Sequence, residues 1–296
     1  MALGGDLKAT VCVVARGRAT VSPHVGDVGS PSGEAALREA LEHLLRLTGA
    51  VPRAVACDLH PDFVTSRVAR ELGLPVVAVQ HHHAHAAACL VEHGRAGPAL
   101  VAAFDGAGHG DDGTTWGGEL LVADLRSARR VGRLRPVALP GGDLAAREPW
   151  RAALAHLVDA GVELPLAGVD ARKVDGVRDL LARGVACPLA SSAGRLFDAV
   201  AALCGLRLVT TYEGQAAIEL EAACGPDDED ARVHAYPVEW TTDALPEIDT
   251  RPLIRAVVHD LRAGVPVARV AARFHAGLAA ALVLALERLR DDTRLS

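Results

Sequence analysis

Short apolar runs and longer amphipathic stretches alternate along the first hundred residues. Ala9 to Ala15 reads as a strand and Ala19 to Ser22 as the second arm of a hairpin. The polar, Gly-rich stretch from Gly26 to Gly33 is a loop, and a helix is predicted from Glu34 to Leu47. Ala54 to Cys57 is a short strand ending in Asp58-Leu59-His60-Pro61-Asp62, and a helix follows to about Leu72. Val76 to Val79 reads as a buried strand feeding an Ala- and Leu-rich helix that opens near His81. Ala99 to Phe104 is a further strand, ending in Asp105. Strands alternating with helices at this spacing imply an α/β fold with a substantially parallel sheet.

The pattern then changes. Glu119 to Val122 and Arg130 to Leu134 look like strands of a meander, and Leu139 to Asp143 is a turn. Arg147 to Arg151 opens a helix to about Asp159, and Glu163 to Asp170 is a loop suited to a lobe boundary. Helices are predicted at Val174 to Leu181, from Ser191-Ser192 with a serine cap, and from the Gly214 turn. Val233 to Val238 is a candidate strand, with helices at Leu253 to Leu261 and Val267 to Arg290. Pro266 stands just ahead of the last, where its missing N–H costs nothing.

Chemistry concentrates at the helix near His81. Four of the chain's 13 histidines fall within His81 to His85. His81 and His85 are four apart, so on a helix they share one face, roughly 6 Å between Cβ atoms, and can converge on one metal, or simply form an exposed polar helix start that binds metal opportunistically. A helix N-terminus also disfavours protonated imidazole and keeps both rings ready to ligate. Asp105, at a strand's end, could reach the same ion. The segment from Asp105 to Glu119 holds six glycines, at 106, 108, 110, 113, 117 and 118, which suits a hairpin loop or close approach to a ligand. Arg147 and Arg151, also four apart, could grip phosphate or carboxylate from one helix face, although solvated arginines explain such a pair more often. Gly214 ahead of Gln215 makes a helix start suited to an anion or to nucleotide hydroxyls, or simply a turn between two amphipathic helices.

Composition narrows the classes. Half the chain is apolar and 3% aromatic, so the core is built from Ala, Val and Leu. A net charge of −6 argues against a general nucleic-acid binder. Asp227-Asp228-Glu229-Asp230 is the one block of like charge, read as a solvated loop. The six cysteines form no C-x-x-C, which suits reduced, buried thiols. No secretory leader is evident and no run reaches the ~18 apolar residues of a membrane span, so a cytoplasmic protein without membrane association is expected.

Several stretches, in order, resemble the HypF family, the carbamoyltransferases of nickel–iron hydrogenase maturation. They are Gly5-Asp6-Leu7-Lys8, Ala56-Cys57-Asp58-Leu59-His60-Pro61-Asp62, Val79-Gln80-His81-His82-His83-Ala84-His85, Asp105-Gly106-Ala107-Gly108 with Trp116-Gly117-Gly118-Glu119, Leu139-Pro140-Gly141-Gly142-Asp143 with Arg147-Glu148-Pro149-Trp150-Arg151, Gly194-Arg195-Leu196-Phe197-Asp198-Ala199-Val200, and Tyr212-Glu213-Gly214-Gln215-Ala216-Ala217. The resemblance implies that family's carbamoyl-transferring module, with two α/β lobes of the actin/Hsp70/sugar-kinase type around a nucleotide cleft. The lobes are expected at 1–165 and 166–296, with the second incomplete at its C-terminus. It implies that His81 and His85, with Asp105, hold a divalent metal: iron, zinc or manganese. Gly106, Gly108 and Gly110 would line the adenylate pocket, Asp198 would hold the ribose or its neighbourhood, and Gly214, Gln215 and Glu219 would continue the pocket. Asp105 and Arg147 are the candidate catalytic residues.

The implied reaction moves carbamoyl from carbamoyl-adenylate, made with ATP by a separately encoded adenylate-forming domain, to the C-terminal cysteine thiol of a HypE-like acceptor protein. The sequence departs from the family pattern in three ways. The family's acylphosphatase, zinc-finger and adenylate-forming regions are missing. The chain stops before the family's Ser-Gly-Gly-Val-Phe-Gln-Asn and Asn-Asp-Gly-Gly segments. Ala107 and His109 replace the usual threonine and tyrosine. Two other readings compete: an inactive metal- and nucleotide-binding fragment of a split gene, and an O-carbamoyltransferase acting on a small-molecule hydroxyl.

Overall fold

The computed structural model of the protein describes residues 1–225 and 233–295. The chain forms two compact units, Met1–Ala84 and His85–Ser296. The division falls inside a helix, and residues 165 and 166 lie in a loop of the second unit. The acidic run at 227–230 lies outside the described residues.

The first unit is a five-stranded sheet in the order β3-β2-β1-β4-β5, with β1 at Ala2–Leu3, β2 at Val11–Ala15, β3 at Arg18–Val21, β4 at Val55–Asp58 and β5 at Val76–Val79. The β2–β3 hairpin forms as its alternation predicts; β1, β4 and β5 are mutually parallel. Helices α1 (Pro31–Thr48) and α2 (Val64–Glu71) cover one face. Their Leu37, Leu41, Leu44, Val68 and Ala69 join Leu3, Val11, Val13, Val55 and Cys57 in one core. Helix α1 begins where Ser30 Oγ accepts the Gly33 N–H and Pro31 needs no donor partner. It ends at Gly49, whose φ of 61° suits a residue without Cβ.

One expectation fails here. Val76 to Val79 is a strand but not a buried one: Val76 is 40% and Val77 53% exposed. It is the sheet's edge, pairing among the described strands with β4 alone, so β-branched residues report strand propensity there and not burial.

Helix α3 (His81–Glu92) begins at the end of the first unit and continues into the second. The second unit's seven-stranded sheet runs β11-β12-β8-β7-β10-β9, with β6 also on β7. Its strands are β6 (Ala99–His109), β7 (Thr115–Ala123), β8 (Ala128–Leu134), β9 (Val137–Ala138), β10 (Leu189–Ala190), β11 (Glu239–Trp240) and β12 (Glu247–Asp249). The strand expected at Val233 to Val238 is therefore the short β11 instead. The β6–β7–β8 meander is antiparallel and only β12–β8 and β10–β7 are parallel, so this sheet is mixed and not substantially parallel.

Helices α4 (Leu144–Arg147), α5 (Pro149–Ala160), α6 (Ala171–Arg183), α7 (Ala193–Leu203), α8 (Gln215–Ala223), α9 (Arg251–Arg262) and α10 (Val267–Thr293) complete the unit. The core gathers Leu157 of α5, Leu196 and Val200 of α7, Leu220 of α8, Ile254 of α9 and Phe274 of α10 around Leu120 and Leu134. By length and composition α10 is long and apolar enough to cross a membrane, contrary to the expectation that no run is. Its Val270, Ala271, Phe274, Leu278, Ala285 and Leu289 are buried in this core, and a third of its most apolar window is buried in all.

Candidate metal and nucleotide site

Helix α3 starts on its own sequence. Gln80 Oε1 accepts the His83 N–H at 2.9 Å, satisfying one of the helix's first amide donors. His82 is fully buried, whereas His81 and His85 lie one turn apart on a more open face, their side chains 25% and 57% exposed. His81 Nδ1 lies 2.7 Å from Asp58 Oδ2, and His85 Nε2 lies 3.9 Å from Asp105 Oδ2. His81, His85 and Asp105 each offer a donor atom within 4.8 Å of the others. Two imidazoles and a carboxylate at such spacing suit a divalent transition metal, so the residues present fit the group that the sequence implies.

Asp105 reaches this position through a break in the β6–β7 ladder. Phe104 pairs with Gly118 and Gly108 with Trp116, so four steps on β6 match two on β7 and residues 105–107 bulge out. Asp105 is thus inside a strand at a bulge, not at a strand's end. Its Oδ1 accepts the Gly106 N–H at 2.6 Å.

The glycines beside it serve protein backbone first. A Cβ on Gly117 would fall 2.7 Å from the Asp105 carbonyl oxygen, and one on Gly194 would fall 2.8 Å from Gly106 Cα. Helix α7 can therefore begin directly against the bulge. Ser192 Oγ accepts the Arg195 N–H at 3.0 Å and donates to the Gly106 carbonyl at 2.6 Å, stitching the two together. Gly110 belongs to the hairpin's closure, since a Cβ there would fall 2.1 Å from Trp116 Nε1.

Asp198 and Arg195 stand one turn apart near the start of α7, 2.9 Å between carboxylate and guanidinium, with side chains 3% and 11% exposed. The pair is close but poorly aligned. Asp198 Oδ2 and Arg195 Nε make no hydrogen bond among the described residues. Burial pushes the Asp198 carboxyl up to about 6, and Arg195 offsets this only in part. An Arg195 nitrogen lies 3.8 Å from where a Gly106 Cβ would sit, so the pair faces the bulge.

The other expected site residues sit differently. Arg147 ends α4, Glu148 has φ −122° and ψ 75°, and α5 starts at Pro149. Arg147 and Arg151 are thus on separate helices and share no helix face. Arg151 pairs with Glu148 and lies over Trp150, 4.9 Å from its ring centre, while Arg147 is exposed. Gly214 has φ 75°, as the α8 start requires. Gln215 accepts from the Thr211 N–H at 2.7 Å and donates to Glu219 at 3.0 Å, and Glu219 pairs with Arg207 at 2.8 Å. Their described contacts run within this turn.

Two supporting carboxylates escape a reading by spacing. Asp58 is one. Glu119 is the other, fully buried in β7, accepting from the Ser191 hydroxyl and the Gly117 and Gly118 N–H groups and facing Arg130 at 3.3 Å. Burial pushes its carboxyl up against these partners. The available signal was a lone acid inside an otherwise uncharged strand.

Comparison with known proteins adds the family. A model described as the HypF Kae1-like domain matches residues 1–92, and one described as the second subdomain of the carbamoyltransferase Kae1-like domain matches residues 101–296. The chain belongs to the HypF family and corresponds to its Kae1-like domain. It is 45% identical to carbamoyltransferase HypF2 of Cupriavidus necator, covering 95% of this chain and 38% of that protein. It is 40% identical to a carbamoyltransferase HypF homolog of the same organism, covering 96% of this chain and 75% of the homolog. The crystal structure of full-length HypF in its phosphate- and nucleotide-bound form superposes with a TM-score of 0.93 at 32% identity, over 99% of this chain and 46% of that one. The chain thus spans 38% of HypF2 and 46% of the full-length HypF structure, and the fold expected from the sequence is the one they share.

Proposed function

We propose that the chain carries the carbamoyl-transfer step of HypF chemistry, from carbamoyl-adenylate to the C-terminal cysteine thiol of a HypE-like acceptor protein. The observation that carries this reading is the convergence of His81, His85 and Asp105 in a HypF Kae1-like domain. A bound iron, zinc or manganese ion would supply charge stabilisation at the carbamoyl carbonyl or at phosphate oxygens. Helix α3 fixes the spacing of the two imidazoles, and the β6 bulge lifts Asp105 clear of its ladder. Arg195 offers a guanidinium for the anionic phosphate, and Asp198 offers a buried acceptor for nucleotide hydroxyls. In the transfer the acceptor sulfur forms its bond to the carbamoyl carbon as the carbon–oxygen bond to phosphate breaks. AMP leaves and the thiol proton passes to solvent. No side chain of this chain serves as nucleophile. The adenylate would be made by an adenylate-forming domain using ATP.

Acid-quenched assays with supplied carbamoyl-adenylate test this. AMP release should match S-carbamoylation of a HypE-like C-terminal peptide, and fall to background when the peptide's cysteine is replaced by serine. Equal release without acceptor, or none under any metal, would refute it.

A further inference from the structure

The end of β4 is set against the start of α3 by sheet register. Asp58, the last residue of β4, lies opposite Val79, the last residue of parallel β5, and His81 follows two positions on. The Asp58 carboxylate is held from two sides. One oxygen accepts the His60 N–H at 2.9 Å, and the other meets His81 Nδ1 at 2.7 Å. Its side chain is only 6% exposed. Behind the imidazole, a Cβ on Gly5 would stand 3.9 Å from His81 Cε1 and 3.5 Å from the Phe63 ring, and Phe63 stacks on His60 with ring centres 4.2 Å apart. The His81 ring thus rests against a carboxylate anchored to backbone, not against a mobile surface acid.

We infer that Asp58 is the positioning residue of the metal centre: it holds the proton on His81 Nδ1, aims Nε2 as the ligating nitrogen and raises its basicity. The inference rests on the metal reading of the proposed function. Its physical content is that a carboxylate behind a ligating imidazole fixes tautomer and ring orientation, and removing such a partner weakens metal binding by about 10–100-fold. Asp58 itself touches neither metal nor substrate. The sequence places it 23 residues before His81, and only the β4–β5 register brings the two together.

The experiment compares wild type, Asp58→Asn, Asp58→Ala and His81→Ala as full chains. Zinc and cobalt affinities are read by chelator competition, the cobalt complex by its visible absorption, and the metal-free proteins by thermal unfolding. Asp58→Ala should weaken binding about 10–100-fold. Asp58→Asn should fall between it and wild type, because the amide oxygen can still accept from Nδ1–H but carries no charge. The Asp58→Asn cobalt spectrum should shift while its metal-free unfolding midpoint stays at the wild-type value. Wild-type affinity in both Asp58 variants, alongside loss of binding in His81→Ala, would overturn the inference and leave the metal centre standing. A lowered metal-free midpoint with unchanged affinity would assign Asp58 a structural role and overturn it too. A wild type that takes up no metal, or a His81→Ala variant that binds like wild type, would remove the metal centre and this inference with it.

Discussion

Helices α7 and α8 both open with a small or polar turn followed by charged side chains, yet their polar groups are treated in opposite ways. At α7, Asp198 and Arg195 are nearly removed from solvent, paired with each other, and still leave Asp198 Oδ2 and Arg195 Nε without hydrogen bonds among the described residues. At α8, Glu219 is held by Arg207 and Gln215, Gln215 is held by Thr211, and the Glu219 side chain stays 28% exposed. The Arg207 hydrogen bond lowers the Glu219 pKa, whereas burial raises that of Asp198. Incomplete satisfaction of buried charge is what an apolar-cored unit tolerates where a ligand will add partners. Complete local satisfaction at a surface describes a turn that holds itself together.

The sharpest way to break this contrast is to remove Arg195. Arg195→Met leaves the Asp198 carboxylate buried beside an apolar side chain, and breaking a buried pair from one side costs about 3–5 kcal/mol. Urea denaturation at pH 8 should show a loss of that size. Adding Asp198→Asn in the same chain should recover most of it, because the uncompensated charge is then gone. A loss no larger than that of an exposed arginine would show that the two groups are not coupled, and α7 would then look like α8.

A smaller effect sharpens the comparison along the pH axis. With its folded pKa raised to about 6 from an ordinary 3.8, Asp198 takes up a proton more readily in the folded chain. Its contribution to stability is therefore fully present below pH 4, lost as pH climbs through about 6, and constant above that. Two units correspond to about 3 kcal/mol. Buried His156, with its pKa lowered to about 4 by burial, acts in the opposite sense, its contribution being present above 6.5 and lost as pH falls toward 4. Comparing wild type with Asp198→Asn cancels His156 and isolates Asp198. The wild-type urea midpoint should fall relative to that of Asp198→Asn as pH rises from 4 to 8; parallel curves would refute the buried, half-satisfied carboxylate.

The two helix starts also show what a sequence carries. Spacing of four within a helix is local, so His81 and His85 were legible as a shared face, and Ser192 was legible as a cap. The strand at Val76 to Val79 was legible as a strand, but four β-branched and small residues say nothing about whether an edge is covered. Arg147 and Arg151 share no helix although their spacing suggests one, and the signal is in the sequence: Pro149 disfavours helical geometry at Glu148 and separates the two arginines. The partnership of Asp58 with His81 needed the β4–β5 register, and the bulge at residues 105–107 needed the β6–β7 ladder. Neither leaves a trace in spacing. The same limit applies to Glu219: that Arg207, 12 residues earlier, occupies its carboxylate leaves no trace in spacing either.

That occupation sets the smallest expected effect. Glu219→Gln removes the charge facing Arg207 but keeps an amide oxygen that can accept from Gln215 and the guanidinium. Both side chains are about one-third exposed, 34% for Arg207 and 28% for Glu219, so water and salt already screen the pair. The unfolding midpoint should stay within replicate scatter, and calorimetric titration with AMP should give the wild-type affinity. Arg195→Gln should instead weaken AMP while leaving adenosine unchanged, because only the former carries the anion that the guanidinium would meet. If Glu219→Gln were the variant that loses AMP, the ligand would be competing with Arg207 for that carboxylate. The local satisfaction at α8 would then be a resting arrangement that the nucleotide displaces, and the unsatisfied pair at α7 would need another explanation.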